Sequence, residues 1–322
     1  MKRGLVIGKF MPIHKGHIAL IDFAATYCDE LIVSMSYTSS DSIDPQLRLD
    51  WIKNIFKDQP RIKPAIIIDD FDDDTLPLPE RTKAWANRMQ EVYPSIDIVF
   101  SSEEYGTYFA ENLNSKHKSF DPGRNQVPVS STLIRTNPFT NWEYIPDEVR
   151  PFFVKKICFY GSESTGKSTM AKRMAEMYHT EFVPEVAREL ITSNDFTSDD
   201  IIRIGFAQTQ RVIDQAKIAN KILFCDTDVI TTQIYSQHYL KVIPPVLYDL
   251  EKQIHYDHYL LFDIDVAWVA DDLRDLGNQR SEMHEVFKRA LDGRNINYLK
   301  VQGSYEEREK FIRAVIDKML EG

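Results

Sequence analysis

Apolar residues along this chain fall into short continuous runs, separated by longer segments in which they recur every three or four positions. Residues 4–7 (Gly-Leu-Val-Ile) read as a short buried strand, and residues 14–27 as a helix carrying Ile18, Leu20, Ile21 and Phe23. The alternation continues with a strand at 31–35, a helix at 45–57, a strand at 65–68, a helix at 82–92, a strand at 96–100 and a helix at 103–113. Runs of period two or continuous apolarity mark strands, and the 3.6-residue period marks helices. Strands alternating with helices predict βαβ units and a parallel sheet. The pattern breaks at "NPFTNWEYIP" (137–146), which is rich in turn formers, and a fresh strand-to-loop unit begins at Val154. The boundary is therefore expected near 140–153, with domains at 1–150 and 151–322. The second half predicts strands at 156–160, 181–183, 222–225, 259–262 and 297–301. Helices are expected at 167–178, across 185–218, at 229–239 and at 305–320. The fold class is α/β, with one parallel sheet in each of two domains.

Composition narrows the function classes. The chain has 322 residues, and its net charge of −10 divides evenly into −5 for residues 1–150 and −5 for the rest. Neither half is a basic module, so extended nucleic-acid binding, which needs a positive face, is not expected. Small phosphorylated ligands need only a local cluster of donors. Cys28, Cys158 and Cys225 are far apart and form no C-x-x-C, so they read as small buried residues of a reducing compartment. Lys9 interrupts the first apolar run, which is too short for a signal peptide, and no run reaches membrane-spanning length. A cytoplasmic protein is expected.

"GSESTGKST" (161–169) fits G-x-x-x-x-G-K-[ST], with a strand before it and a helix after it. Such a loop wraps backbone N–H groups around phosphates and adds the positive end of a helix dipole. Gly161, Glu163, Ser164, Thr165, Gly166, Lys167, Ser168 and Thr169 would hold ATP, with Lys167 on the β- and γ-phosphates and Ser168 on Mg²⁺. The loop needs an acidic partner at the end of another strand. "ILFCDTD" supplies Asp226 for the metal, with Asp228 two residues on as a substrate ligand; capping a turn is the alternative for both, and the kinase general base stays open between Glu185, Asp226 and Asp228. "FVPEVARE" places Glu185 and Arg188 near the sheet edge, as substrate ligands or as a surface pair. Arg274 and Arg280 in "ADDLRDLGNQR" suit either a lid over the transferred phosphoryl group or a solvated loop. No guanine-specific N-K-x-D is present, so the second domain reads as a small-molecule kinase.

His14 and His17 lie in "GKFMPIHKGH", directly after the first strand. They admit a metal pair, satisfied structural histidines, or a site for anionic charge. No Asp, Glu or Cys at ligand spacing completes a metal site nearby. Gly16 leaves room for a ligand to approach the backbone, and two imidazoles at a helix N-terminus favour the anion. Trp85, after the acidic run 69–74, stacks on a cationic ring or packs the core; the acidic run itself reads as a solvated loop.

The pattern G-x-F-x-P-x-H-x-G-H resembles the signature of nucleotidyltransferases that transfer an adenylyl group from ATP to a phosphate. Their second motif, S-x-T-x-x-R, is matched by Ser130, Ser131, Thr132 and Arg135 in "VPVSSTLIRTNP". The resemblance implies that Gly8, Lys9, Phe10, His14, Gly16, His17, Ser130, Ser131, Thr132 and Arg135 bind ATP, with His14, His17 and Arg135 catalytic beside Lys167, Asp226 and Glu185 of the second domain. A transferase followed by a P-loop kinase is similar to the NadR family across essentially the whole chain. That family resemblance implies ATP, nicotinamide riboside, nicotinamide mononucleotide and NAD as ligands, Mg²⁺ as cofactor, and synthesis of NAD in two steps. Some members of the family carry an N-terminal helix-turn-helix. Here the first strand begins at Gly4, so no DNA-binding role is expected. No membrane partner is expected, and a homo-oligomer is allowed. The rival readings are the adenylyltransferase–kinase pair of coenzyme A synthesis and a nucleotide sensor without turnover.

Overall fold

The computed structural model describes residues 1–191, 195–269 and 276–321. They divide into two compact units, Met1–Val149 and Arg150–Gly322. The first holds strands β1 (Arg3–Gly8), β2 (Glu30–Tyr37), β3 (Ile62–Ile68), β4 (Ile98–Ser101) and β5 (Lys116–Ser119). All pair in parallel, in the order β3-β2-β1-β4-β5. The second holds β6 (Lys155–Tyr160), β7 (Phe182–Val183), β8 (Ile222–Asp226), β9 (His258–Phe262) and β10 (Tyr298–Val301), parallel in the order β10-β9-β6-β8-β7.

β1 and β6 are the central strands, and their sequences show why. Leu5 and Val6 are adjacent and both fully buried, as are Ile157, Cys158, Phe159 and Tyr160. A strand covered on both faces reads as a continuous apolar run rather than an alternating one. Gly4 meets the same constraint: a Cβ there would lie within 2.9 Å of Phe100, Cys28 and Leu31. The helices bury stripes onto the sheets. Helix Leu78–Val92 contributes Thr82, Ala86 and Met89, and helix Lys167–Tyr178 contributes Met170, Ala171, Met174 and Ala175. Both spacings follow the helical period. In both sheets the chain crosses from one side of the central strand to the other. That reversal opens a crevice at the carboxyl ends of the strands, where ligands bind in α/β folds.

Several elements depart from the sequence reading. β3 extends back over Pro64, which the reading left outside the strand. It is tolerated because β3 is an edge strand, paired only with β2. The short strand β5 and helices Ser131–Thr136 and Val246–Glu251 carry no periodic signal long enough to read. Helix Arg280–Asp292 did carry one, in Met283, Phe287 and Leu291, which it buries. The three cysteines are free and buried, as expected. Among the described residues no helix is long and apolar enough to cross a membrane.

The end of β4 is set by a glycine. Ser101 Oγ lies 3.0 Å from His117 Nε2 on β5, and Gly106 sits against this bridge. A Cβ at Gly106 would fall 2.0 Å from Ser101 Oγ and 2.3 Å from His117 Nε2. Gly106→Ala is expected to destabilise the protein by about 1–3 kcal/mol through overpacking and loss of the bridge. An unchanged midpoint in urea unfolding would contradict this.

Candidate active sites

In the first unit β1 ends at Gly8, and residues 9–13 lead into helix Lys15–Ala25. His14 is the N-cap residue of that helix, and it forms a reciprocal cap with His17. The His17 N–H donates to His14 Nδ1 and the His14 N–H donates to His17 Nδ1, each at 3.3 Å. The rings stack with centroids 3.7 Å apart and planes inclined by 23°. A backbone N–H can only donate, so both Nδ1 atoms are acceptors and carry no proton. The neutral rings therefore carry hydrogen on Nε2. Burial, reinforced by the charge of Arg124, lowers His14 to about 4. Burial, then its neighbour His14, then Arg124, hold His17 well below its ordinary value. The pair is thus two neutral Nε2–H donors at a helix N-terminus. With both Nδ1 atoms engaged in capping, the metal-pair reading loses its geometry. Among the described residues, no group of three or more His, Cys, Asp or Glu side chains is placed to hold a metal.

Gly16 lines the cavity, and it also clears space for the imidazole, because a Cβ there would press on the His14 ring at 3.1 Å. The loop before it is fixed through its carbonyls. Arg48, fully buried on helix Pro45–Ile55, donates to Lys9 O at 2.8 Å and pairs with Asp41 at 2.7 Å. Ser131 Oγ donates to Pro12 O at 3.0 Å, and Arg135 donates to Met11 O and to Thr132 Oγ1. Ser130 caps helix Ser131–Thr136.

Gly8, Lys9, Phe10, His14, Gly16, His17, Ser130, Ser131, Thr132 and Arg135 all line one cavity of about 780 Å³, and so does Trp85. Such a volume suits a nucleotide-sized ligand. Trp85 packs in the core and also faces the cavity. It packs edge-on to Tyr105 and Phe109, and it faces the cavity with Nε1 donating to Asp72 at 2.8 Å. Arg81 lies over the indole, 5.1 Å from its centroid.

The acidic run is not simply a solvated loop, because Asp69 and Asp72 line the same cavity. The hydrogen bond from Arg81 holds Asp72 below the ordinary carboxylate range. Burial raises Asp69, which sits 3.7 Å from Lys9. The sequence reading missed Arg48 and Arg124. Neither belongs to a local motif; they reach the site only through the fold.

In the second unit the loop after β6 turns through Gly161 (φ 130°), Ser164 (φ 58°) and Gly166 (φ 85°) into helix Lys167–Tyr178. No side chain caps that helix, so its first N–H groups remain for an anion. Gly161, Glu163, Ser164, Thr165, Gly166, Lys167, Ser168 and Thr169 line a cavity together with Glu185 and Arg188. Lys167 is buried, its Nζ donating to Ser162 O at 2.8 Å. Burial lowers its pKa, against the charges of Asp226 and Glu185. Glu185 and Arg188 pair at 3.0 Å. The loop bearing them is tied down where Val186 N–H donates to Gln208 Oε1 at 2.9 Å.

Asp226 ends β8 beside the loop and is 2% exposed. Burial, with the charge of Glu185, raises it to about 6, against the opposing influence of Lys167 and the neighbouring Ser168. Its Oδ1 has no hydrogen-bond partner. A buried carboxylate oxygen left open beside a serine hydroxyl fits a divalent cation.

Two expectations change here. Asp228 does not line this cavity. Its carboxylate caps helix Val229–Leu240 through Thr231 and accepts from Tyr259 at 2.9 Å, which leaves it no role as a substrate ligand. Arg280 opens helix Arg280–Asp292 and donates to Val266 O at 2.6 Å and to Ser164 O at 3.1 Å. It grips the loop's outward carbonyl rather than the phosphates inside. Arg274 lies outside the described residues.

The depressed imidazoles give a test with a defined sign. Between pH 6.5 and about 4 the unfolded chain binds protons that the folded chain refuses, so stability falls as pH drops through that window. NMR titration should find His14 neutral down to about pH 4. Titration near pH 6.5 would contradict the buried cap.

Residues 5–137 match a family described as cytidylyltransferase-like, and residues 156–308 match an AAA domain. The "Trifunctional NAD biosynthesis/regulator protein NadR" of Escherichia coli is 34% identical, covering 97% of this chain and 81% of that protein. The protein of the same name from Salmonella typhimurium is 33% identical over the same shares. The nicotinamide-nucleotide adenylyltransferase of Saccharolobus solfataricus is 26% identical and covers 48% of this chain and 91% of its own length. A crystal structure of a NadR protein in complex with NR superposes with a TM-score of 0.81 at 23% identity, over 98% of this chain and 95% of that one. That likeness shows a shared fold. The extent and identity of the two NadR proteins from enteric bacteria go further: the chain belongs to the NadR family.

Proposed function

We propose that the chain makes NAD in two steps. The second unit phosphorylates nicotinamide riboside with ATP, and the first adenylylates the resulting nicotinamide mononucleotide with a second ATP, releasing pyrophosphate. The observation that carries this reading is the presence of two separate anion sites in one chain, each built on the turn from a central strand into a helix. Family membership supports the choice of substrates. A cytoplasmic location suits an enzyme that consumes ATP.

For the kinase step, the loop N–H groups and Lys167 hold the β- and γ-phosphates. Ser168 and Asp226 would hold Mg²⁺, which would neutralise phosphate charge when bound. Glu185, lining the same cavity, takes the proton of the riboside hydroxyl as its oxygen attacks the γ-phosphorus. Arg188 keeps Glu185 in place. Asp228, which does not line this cavity and accepts from Thr231 and Tyr259, is less well placed for that proton.

For the transfer step, the mononucleotide's phosphate is already an anion and needs no base. It attacks the α-phosphorus in line, and the departing pyrophosphate is met by the Nε2–H groups of His14 and His17 and by Arg135. Neutral donors suit this task because they stay constant around neutral pH and require no reorganisation. Asp69, Asp72 and the indole of Trp85 give the cavity an acidic, aromatic wall suited to a cationic pyridinium ring.

Single-site variants separate the two steps. Lys167→Ala should lose the kinase reaction by about 10²-fold or more while still converting added mononucleotide to NAD. His17→Ala should stop at the mononucleotide, with the kinase rate unchanged. Chromatography of products from ATP, Mg²⁺ and riboside reads both. Loss of both reactions in either variant, or a wild type that leaves riboside untouched, would overturn the assignment.

A further inference from the structure

Behind the phosphate-binding loop lies a charged side chain that the two-step mechanism does not use. Arg308 belongs to helix Tyr305–Glu321 and is 2% exposed. Its Nη1 donates to Thr165 O at 2.7 Å. Its Nη2 donates to Asp263 O at 3.3 Å and to the Asp265 carboxylate. Its Nε donates to Gly303 O at 3.0 Å. One planar guanidinium therefore joins the loop, the carboxyl end of β9 and the turn after β10.

We propose that Arg308 is a positioning residue for phosphoryl transfer, acting through the peptide between Thr165 and Gly166. The proposal rests on the reading that this loop holds the phosphates of ATP. In a trans peptide the C=O and the next N–H point in opposite directions. Holding Thr165 O outward therefore aims the Gly166 N–H into the cavity. Arg280 acts in the same way on Ser164 O, and so aims the Thr165 N–H. The adjoining Ser164 adopts φ 58°, a conformation costly for a residue with a Cβ and one that persists only where its surroundings over-determine it. Val269 N–H donating to Ser164 Oγ at 2.7 Å adds a further restraint.

Stability alone explains Arg308 poorly, since a buried ion pair can often be replaced by apolar side chains without loss. A rigid five-donor fork is required, however, if several carbonyls must be held in fixed directions at once. Lysine would keep the charge and lose the fork.

The test is Arg308→Lys in the full chain, using the first unit's adenylyl transfer as an internal measure of intact protein. Kinase kcat should fall roughly tenfold or more, and affinity for ATP by calorimetry should fall comparably, because misaimed N–H groups bind phosphate less well. KM for riboside and the adenylyl-transfer rate should stay within about twofold. A variant that melts lower yet keeps wild-type kcat and ATP affinity would reduce Arg308 to a structural tie and overturn the proposal. If Arg308→Lys fails to fold, Asp265→Asn, which removes the carboxylate partner, should lower kcat in the same sense, and an unchanged kcat would again overturn it. A wild type that binds ATP without phosphorylating riboside refutes the substrate assignment, while the ATP-affinity comparison still tests Arg308.

Discussion

A loop that turns its N–H groups inward to meet phosphate must turn its carbonyls outward, and outward carbonyls need donors of their own. Both units meet this requirement with side-chain donors placed behind the loop, chiefly arginines. In the first, Arg48 and Arg135 take the carbonyls of Lys9 and Met11, and Ser131 takes that of Pro12. In the second, Arg280 and Arg308 take those of Ser164 and Thr165. Each arginine comes from a helix distant in sequence from the loop it holds. The anion sites are therefore products of the packed fold rather than of their motifs alone. This explains how a chain of net charge −10 can handle polyphosphates. Several of its cations fix dipoles behind the loops, and Lys167 and Arg135 line the cavities beside them.

The two helix N-termini are used in opposite ways. Helix Lys167–Tyr178 has no side-chain cap, so its backbone N–H groups are offered directly. Helix Lys15–Ala25 is capped by the two imidazoles, which consume the backbone donors of His14 and His17 and present Nε2–H in their place. In the proposed mechanism the first arrangement would cradle a phosphate closely and add the charge of Lys167, and the second would offer neutral donors where a departing pyrophosphate could be met and then released. The depressed histidine pKa values come chiefly from burial, with the charge of Arg124 adding to it, and a proton on Nδ1 would in addition break the cap.

Much of this was legible in the sequence. The continuous runs of β1 and β6 and the glycine spacing of 161–166 sufficed to locate both central strands and both loops. The period of Met170 and Met174 located the helix after the second loop. What stayed hidden falls into two kinds. Elements such as β5 and helix Ser131–Thr136 are too short for their period to emerge. Side chains such as Arg48, Arg124 and Arg308 look like ordinary charged residues on helices or turns until tertiary contacts bury them or aim them at a site. The misread roles have the same origin. Arg280 stands in a charged stretch that suggested a lid, yet its helix buries Met283 and Phe287 and carries the guanidinium to the back of the loop. Asp228 sits two residues from Asp226, but β8 ends at Asp226, the chain turns at Thr227 (φ 70°), and the following helix cap engages the Asp228 carboxylate.

The measurement that tests the central claim most directly is ³¹P NMR of the full chain turning over ATP, Mg²⁺ and nicotinamide riboside. Two sites with distinct phosphate chemistry must split ATP in two ways. ADP should appear first, a phosphomonoester signal should rise and decay, and the dinucleotide diphosphate and pyrophosphate should then grow together in equal amounts. Pyrophosphate without ADP, or ADP that accumulates with no pyrophosphate when mononucleotide is present, would mean that only one of the two sites is catalytic and would contradict the account.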